Sequence, residues 1–272
     1  MTSFRILLLF ALVTCAHGAE PLPIFDAHAH YNAEAIAAGY SPDRVFELWR
    51  KVNIRGALVN SRSNDGTVTL YQAKQHEVHI VPFLRPYIVQ ADRYTWFKDP
   101  AIYRLIETEL QRGIYRGIGE FHLFGDDARS DLVKRMVDLA AARNLMLHAH
   151  SDAAAVDILY AHNPKVRIMW AHSGFTSPPE EIERYFERYP SLLGELSYRY
   201  DMVSGGKLTP AWRRLLIKYA DRFVVGTDTW VNQRWEEVPQ TIAFYRGWLA
   251  ELPPEVAEKI AYRNGERLFA DR

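Results

Sequence analysis

Two histidines one residue apart, His28 and His30 in Phe25-Asp26-Ala27-His28-Ala29-His30, are the first residues whose spacing could do chemistry. In an extended strand alternate side chains share a face, so both imidazoles point the same way and form a two-toothed clamp. Neutral imidazole is a preferred ligand of zinc and related divalent ions, and such a pair leaves coordination positions open. Further along, Glu120 follows Gly117-Ile118-Gly119, and His148 and His150 close Leu147-His148-Ala149-His150. His172 follows Trp170-Ala171, and Asp228 follows Val225-Gly226-Thr227. Each ends an apolar run, where a buried polar group without a partner is costly. A shared metal ion is one partner that would satisfy them all.

Such residues meet only if the runs that carry them are parallel strands opening on one face. Short apolar or β-branched runs do alternate with amphipathic stretches of helical length, the pattern of repeated β-α units. Strands are expected at 24–30, 54–60, 79–87, 115–121, 145–150, 166–172, 192–198 and 222–228. Helices are expected after Ser41-Pro42-Asp43, which reads as an N-cap with proline in the first turn, and at 67–77, 100–112, 130–143, 152–162, 180–188, 210–219 and 236–252. A last helix over 255–269 would close the bottom. Eight pairs in about 250 residues is the size of a single-domain α/β protein of the (β/α)8 TIM barrel class, whose catalytic groups come from the carboxyl ends of different strands. An open doubly wound sheet would want a glycine-rich turn after its first strand, and this chain has none there.

The 272 residues carry 33 basic and 33 acidic side chains, so no global field recruits nucleic acid or an anionic membrane. Residues 1–18 read as a secretory signal, with Arg5, the apolar run from Ile6 to Val13, and Ala16-His17-Gly18 before cleavage. That run is too short to span a bilayer, so no stable membrane insertion is expected of the mature domain, 19–272. Export to a periplasm is expected, with lipid anchoring at Cys15 as an alternative. Cys15 is the one cysteine, so the mature chain would have neither disulfide nor thiolate ligand.

With these residues in order, the chain resembles the amidohydrolase superfamily of metal-dependent hydrolases, closest to its amidohydrolase-related branch, with the TatD-type deoxyribonucleases as cousins. The family pattern is H-x-H on strand one, histidines on strands five and six, and an aspartate on strand eight. The ending Tyr262-Arg263-Asn264-Gly265-Glu266-Arg267-Leu268-Phe269 is similar to the family's closing N-A-x-R-L-F. The resemblance implies that His28, His30, His148 and Asp228 bind one divalent ion. His172 would bind a second ion or hydrogen-bond the attacking water, and Glu120 stands where TatD-like members place a bridging carboxylate. Zinc is expected first, as one or two ions, with manganese, iron or nickel as alternatives. Such an ion lowers the pKa of water from about 15.7 toward about 7. Asp228 would then take the water's proton, and His172 would steady charge on the oxyanion.

His148 is preferred over His150 because it directly follows the apolar run; His150 could orient a neighbour or sit in the core. Glu120 could alternatively be a structural ion-pair partner. Arg62 after strand two, Arg85 near the end of strand three, and Tyr198 and Arg199 at the end of strand seven are the candidate contacts of a small-molecule substrate, which arginines would make anionic. Alternatively they pair with loop acids such as Asp92 and Asp201. The reading is a metal-dependent hydrolase of a small ester, lactone, amide or phosphoester. A decarboxylase with the same site is the second reading, and a non-catalytic metal- or ligand-binding barrel the third. Nucleic acid is not an expected partner; a homo-oligomer is compatible with the sequence.

Overall fold

Strands and helices alternate through the chain of a computed structural model that describes residues 20–73 and 78–270. The leader expected over residues 1–18, Cys15 with it, and the end of the second expected helix, at 74–77, lie outside the described residues. The elements run β1 (Ile24–Ala29), α1 (Pro42–Lys51), β2 (Ile54–Val59), α2 (Asn64–Gln72), β3 (His79–Leu84), α3 (Pro100–Leu110), β4 (Gly117–Leu123) and α4 (Asp131–Ala142). They continue as β5 (Met146–Ser151), α5 (Ala153–His162), β6 (Arg167–Trp170), α6 (Pro179–Arg188), β7 (Leu193–Glu195), α7 (Pro210–Lys218), β8 (Phe223–Val224) and α8 (Val238–Leu249). The eight strands pair in chain order, every pair parallel. Beyond β8 the backbone returns to β1: Ala27 N–H donates to Val225 O at 2.8 Å and Asp228 N–H to His28 O at 2.6 Å. The protein is a (β/α)8 TIM barrel.

Local chemistry explains the helices. Ser41 Oγ accepts from Arg44 N–H at 3.3 Å, capping α1 ahead of Pro42. The helix buries Val45, Phe46 and Trp49 on one stripe. In α6 only Ile182 and Phe186, one turn apart, are fully buried, with charged residues on the other faces. Each such aromatic or branched side chain contributes about 1.5–3 kcal/mol on burial.

Inside the barrel Phe25, Leu58, Phe83, Met146, Met169 and Val224 form a separate apolar layer with Phe269. Phe269 comes from the C-terminal helical run, stacks on Phe25 at 5.8 Å and meets Phe83 edge-on at 5.7 Å. Asn264 on the same run donates to Ala220 O at 2.7 Å and Phe223 O at 2.8 Å. The last helix thus plugs the barrel bottom, as its position in the sequence suggests.

Several strands end earlier than expected. β6 stops at Trp170 rather than His172, and β8 at Val224 rather than Asp228. After β6 the backbone turns left-handed at His172 (φ 54°) and Ser173 (φ 46°), and Tyr198 (φ 59°) and Asp228 (φ 49°) are left-handed where the sequence would end the seventh and eighth strands. Non-glycine residues in that region carry strain and gather at functional sites. Among the described residues no helix is long and apolar enough to cross a membrane.

Candidate active site

β1 projects His28 and His30 to the barrel's mouth, with their Nε2 atoms 3.1 Å apart. Around them stand the Glu120 carboxylate from β4, with Oε2 3.6 Å from His28 Nε2 and 3.4 Å from His30 Nε2, and Asp228, with Oδ1 3.0 Å from His30 Nε2. His172 Nε2 approaches the other Glu120 oxygen at 3.5 Å. Ligand atoms of His28, His30 and Asp228 lie within 4.8 Å of one another, as do those of His28, Glu120 and His172. All five residues are at least 95% buried, Asp228 being the most exposed at 5%.

What aims the imidazoles is a set of partners on their far nitrogens. His28 Nδ1–H donates to Glu195 Oε2 at 3.0 Å. His30 Nδ1 lies 3.0 Å from Asn60 O and 2.9 Å from Arg85 Nη1. The carbonyl can only accept and the guanidinium can only donate, so these two neighbours ask opposite things of Nδ1; with the proton on Nδ1, Asn60 Oδ1 takes the Arg85 N–H at 3.0 Å. His172 Nδ1 sits 3.1 Å from Ser197 O, again a pure acceptor. With Nδ1 protonated, each ring turns its Nε2 to the carboxylates, that of His30 toward Asp228 and those of His28 and His172 toward Glu120, the arrangement in which imidazole binds metal. Asp228 Oδ1 is buried with no hydrogen-bond partner among the described residues. The donor set therefore fits a divalent cation.

Charge points the same way. Burial alone would lower the His28 pKa, yet the Asp228, Glu120 and Glu195 carboxylates raise it well above the ordinary imidazole value. Burial would likewise raise Glu120 and Asp228, but His28 and the neighbouring rings hold both well below the usual carboxylate range. Asp26 differs: burial pushes it up to about 6, even though it accepts from Thr227 N–H at 2.8 Å and Thr227 Oγ1 at 2.6 Å. Those bonds tie β1 to the turn that carries Asp228.

The two histidines of β5 occupy different depths. His148 lies inside the barrel against His28, with ring centroids 4.4 Å apart, and among the described residues both its nitrogens lack a hydrogen-bond partner. Burial lowers its pKa well below the ordinary value. It is His150, one pleat nearer the mouth, that meets Glu120, with Nδ1 2.9 Å from Oε1. Both project inward as the strand's alternation requires, but only the outer one reaches the Glu120 oxygen shared with His172.

A cavity of about 300 Å³ opens above the cluster. Arg62, Arg85 and Tyr198 line it, as does His122; burial pushes His122 down to about 3. Arg199 does not line it. Its guanidinium is buried behind the site, donating to His172 O at 3.2 Å, Ser173 O at 3.0 Å, Ser177 O at 2.8 Å and Asp201. Its neighbours in sequence suggest a substrate contact; the structure makes it a tie for the left-handed turn at 172–175, because those carbonyls have no ladder partner. Exposed Tyr94 and Trp230 stand at the mouth, whereas Trp96, Phe97 and Trp235 are buried in the outer core.

Glu195 escapes a reading of the sequence alone, although it carries the signal that marks Glu120: a carboxylate at the end of the apolar Leu192-Leu193-Gly194. Beyond His28, it accepts from His172 N–H at 3.1 Å and Ser197 Oγ at 2.8 Å.

The amidohydrolase family model matches residues 97–270. No curated protein matches the chain. Among solved structures it is similar to a TatD homologue from Escherichia coli, with TM-score 0.63 and 16% identity over 92% of this chain and 98% of that one. It is also similar to an amidohydrolase from Burkholderia multivorans with bound zinc, with TM-score 0.56 and 13% identity over 92% of this chain and 100% of that one. A third is a probable 2-pyrone-4,6-dicarboxylic acid hydrolase from Acinetobacter baumannii with citric acid bound, with TM-score 0.54 and 13% identity over 91% and 99% of the two chains. At such identities these neighbours speak for the barrel, while the family match spans more than half of the sequence. This chain belongs to the amidohydrolase family and is an enzyme of the amidohydrolase superfamily.

Proposed function

We propose that the protein is a metal-dependent hydrolase of a small anionic ester, lactone, amide or phosphoester, working with two divalent ions. His28, His30 and Asp228 hold the first, His150 and His172 the second, and Glu120 is shared. The observation that carries this reading is the approach of the His28, His30 and His172 Nε2 atoms to two buried carboxylates, with the Nδ1 atoms of His28 and His172 held by acceptors. In this proposal His150 replaces His148 as the β5 ligand, because His148 meets His28 and Phe83 instead of Glu120.

A divalent ion at this site would supply an acidified water and a polarised scissile oxygen. Asp228, whose Oδ1 is free of hydrogen bonds, accepts the attacking water's proton. As the scissile bond breaks, the same carboxyl returns that proton to the departing oxygen or nitrogen, so the charge balances. Zinc is the first ion to test, since it takes mixed imidazole and carboxylate sets.

Negative charge on the substrate is supported by Arg62. Its guanidinium is buried, and among the described residues its one carboxylate contact is Glu34 at 3.4 Å. Burial first, and then the neighbouring Arg85, lower its pKa. An anionic group in the cavity would relieve both.

The test is elemental analysis of the purified protein and its Glu120→Gln variant, with turnover of 4-nitrophenyl acetate, dihydrocoumarin and 4-nitrophenyl phosphate before and after chelation. Two ions per chain falling to one in the variant, with chelator-sensitive turnover, is the expected result. No ion after reconstitution would overturn it in favour of a non-catalytic barrel; one ion indifferent to Glu120→Gln would favour the decarboxylase.

A further inference from the structure

We infer that His122 is a substrate-binding donor, an imidazole locked with its proton on Nε2 and offered to a carbonyl, carboxylate or phosphoryl oxygen of the substrate. The substrate contact rests on the hydrolase reading above; the lock does not. It is a hydrogen-bond chain whose direction is forced. A guanidinium can only donate, and Arg85 Nη2 does so to the Tyr87 hydroxyl at 2.8 Å. Tyr87 is fully buried, and its hydroxyl has one other hydrogen-bond neighbour among the described residues, His122 Nδ1 at 2.9 Å. If the imidazole donated, the phenolic O–H would be buried without an acceptor, at the full desolvation cost of that group. The phenol therefore donates, Nδ1 accepts, and the ring's proton sits on Nε2.

The chain is anchored at both ends. Arg85 also reaches Asn60 Oδ1 at 3.0 Å and Glu120 Oε2 at 3.3 Å. Trp96 Nε1 donates to the His122 carbonyl at 2.8 Å, and the ring stacks on His150 with centroids 4.2 Å apart. Nε2 lies across the ring from Tyr87, and no protein acceptor reaches it among the described residues, while the ring itself lines the cavity. The same tautomer removes His122 from the metal ligands. Ligand atoms of Glu120, His122 and His150 lie within 4.8 Å of one another, but the Nδ1 lone pair is taken by Tyr87 and Nε2 bears hydrogen. Arg62 shares the cavity wall, so the oxygen that His122 receives would sit in a field of donors.

The experiment is long-range ¹H–¹⁵N correlation of the ¹⁵N-histidine-labelled full chain at pH 7.5, chelated and then zinc-loaded, with His122→Gln to assign the peak among the ten histidines. Expected is a neutral Nε2–H pattern for His122 that zinc leaves in place and that Tyr87→Phe converts to a mixture of tautomers. A neutral Nδ1–H pattern, an imidazolium, or loss of the Nε2 proton on adding zinc would overturn the lock. For the contact, His122→Phe should raise KM about tenfold on whichever of the ester, lactone or phosphoester probes turns over, and His122→Gln, whose amide N–H falls near Nε2, should recover most of it. Unchanged KM in His122→Phe would overturn the contact. If no probe turns over, the hydrolase reading falls and the contact with it, while the tautomer result stands by itself.

Discussion

Glu195 Oε2 lies 3.0 Å from His28 Nδ1 and 3.1 Å from the backbone N–H of His172, so one buried carboxylate on β7 orients groups from β1 and from the turn after β6. Burial would raise its pKa, but His28 first and then His172 hold it below the usual carboxylate value. The carboxylate both fixes the His28 tautomer and makes the ring a stronger ligand. Glu195→Gln should keep the fold and weaken zinc binding about 10- to 100-fold. Chelator-competition titration measures this, and unaltered affinity would reduce Glu195 to a packing role.

Gly226 is where the barrel closes against this pair. A Cβ there would stand 2.4 Å from His28 Cβ and 2.6 Å from Glu195 Oε1. Gly226→Ala should cost about 1–3 kcal/mol of stability and lower zinc affinity together with it. Denaturant unfolding alongside metal titration reads both, and a variant of unchanged stability would show that the closure yields.

Asp228→Asn would keep an oxygen for an ion and lose the carboxylate proposed as the base. Turnover should fall about 10²- to 10⁴-fold while the protein keeps its metal. Elemental analysis beside the rate separates the outcomes: wild-type turnover would exclude Asp228 as the proton acceptor, and loss of the ion would make it chiefly a ligand.

Arg199 and Asp201 should matter for stability and not for substrate. Lysine has no fork to span three carbonyls and a carboxylate, so Arg199→Lys should destabilise by about 3 kcal/mol with KM unmoved; a raised KM would return Arg199 to the substrate contacts.

Asp201 gives the same tie a pH signature. Burial would raise the Asp201 pKa, but its bonds with the Arg199 guanidinium take it below its ordinary value of 3.8. A carboxyl depressed on folding stabilises above 3.8 and loses that contribution as pH falls through its folded value. Asp201→Asn should therefore be less stable than the wild type at pH 7, with the gap closing in acid. Thermal melts from pH 7 to 3 test the sign, and a gap that widens in acid would refute it.

The alternation of apolar runs with amphipathic helices was enough to read eight β-α units, and the polar residues ending those runs were enough to read His28, His30, Glu120, His172 and Asp228 as one group, which the barrel does bring together. Both inferences rest on local rules: side-chain period along an element, and the cost of an unpartnered polar group at the end of an apolar strand. Depth and partners are not local. His148 and His150 are equivalent in the sequence, two residues apart on the same face, and it is the register of β5 beside β4, shifted at Glu120, that sets the first opposite Gly119 and the second opposite His122, from where it meets Glu120 Oε1. Arg85 and Arg199 are each a lone arginine after a strand. Folding turns one to the cavity, where it anchors Tyr87 and His122, and spends the other on carbonyls left over by a left-handed turn. Sequence alone thus determined which residues could share a site; tertiary structure decided which of them face it, because orientation is set by hydrogen bonds to residues far off along the chain, 167 positions apart in the case of His28 and Glu195.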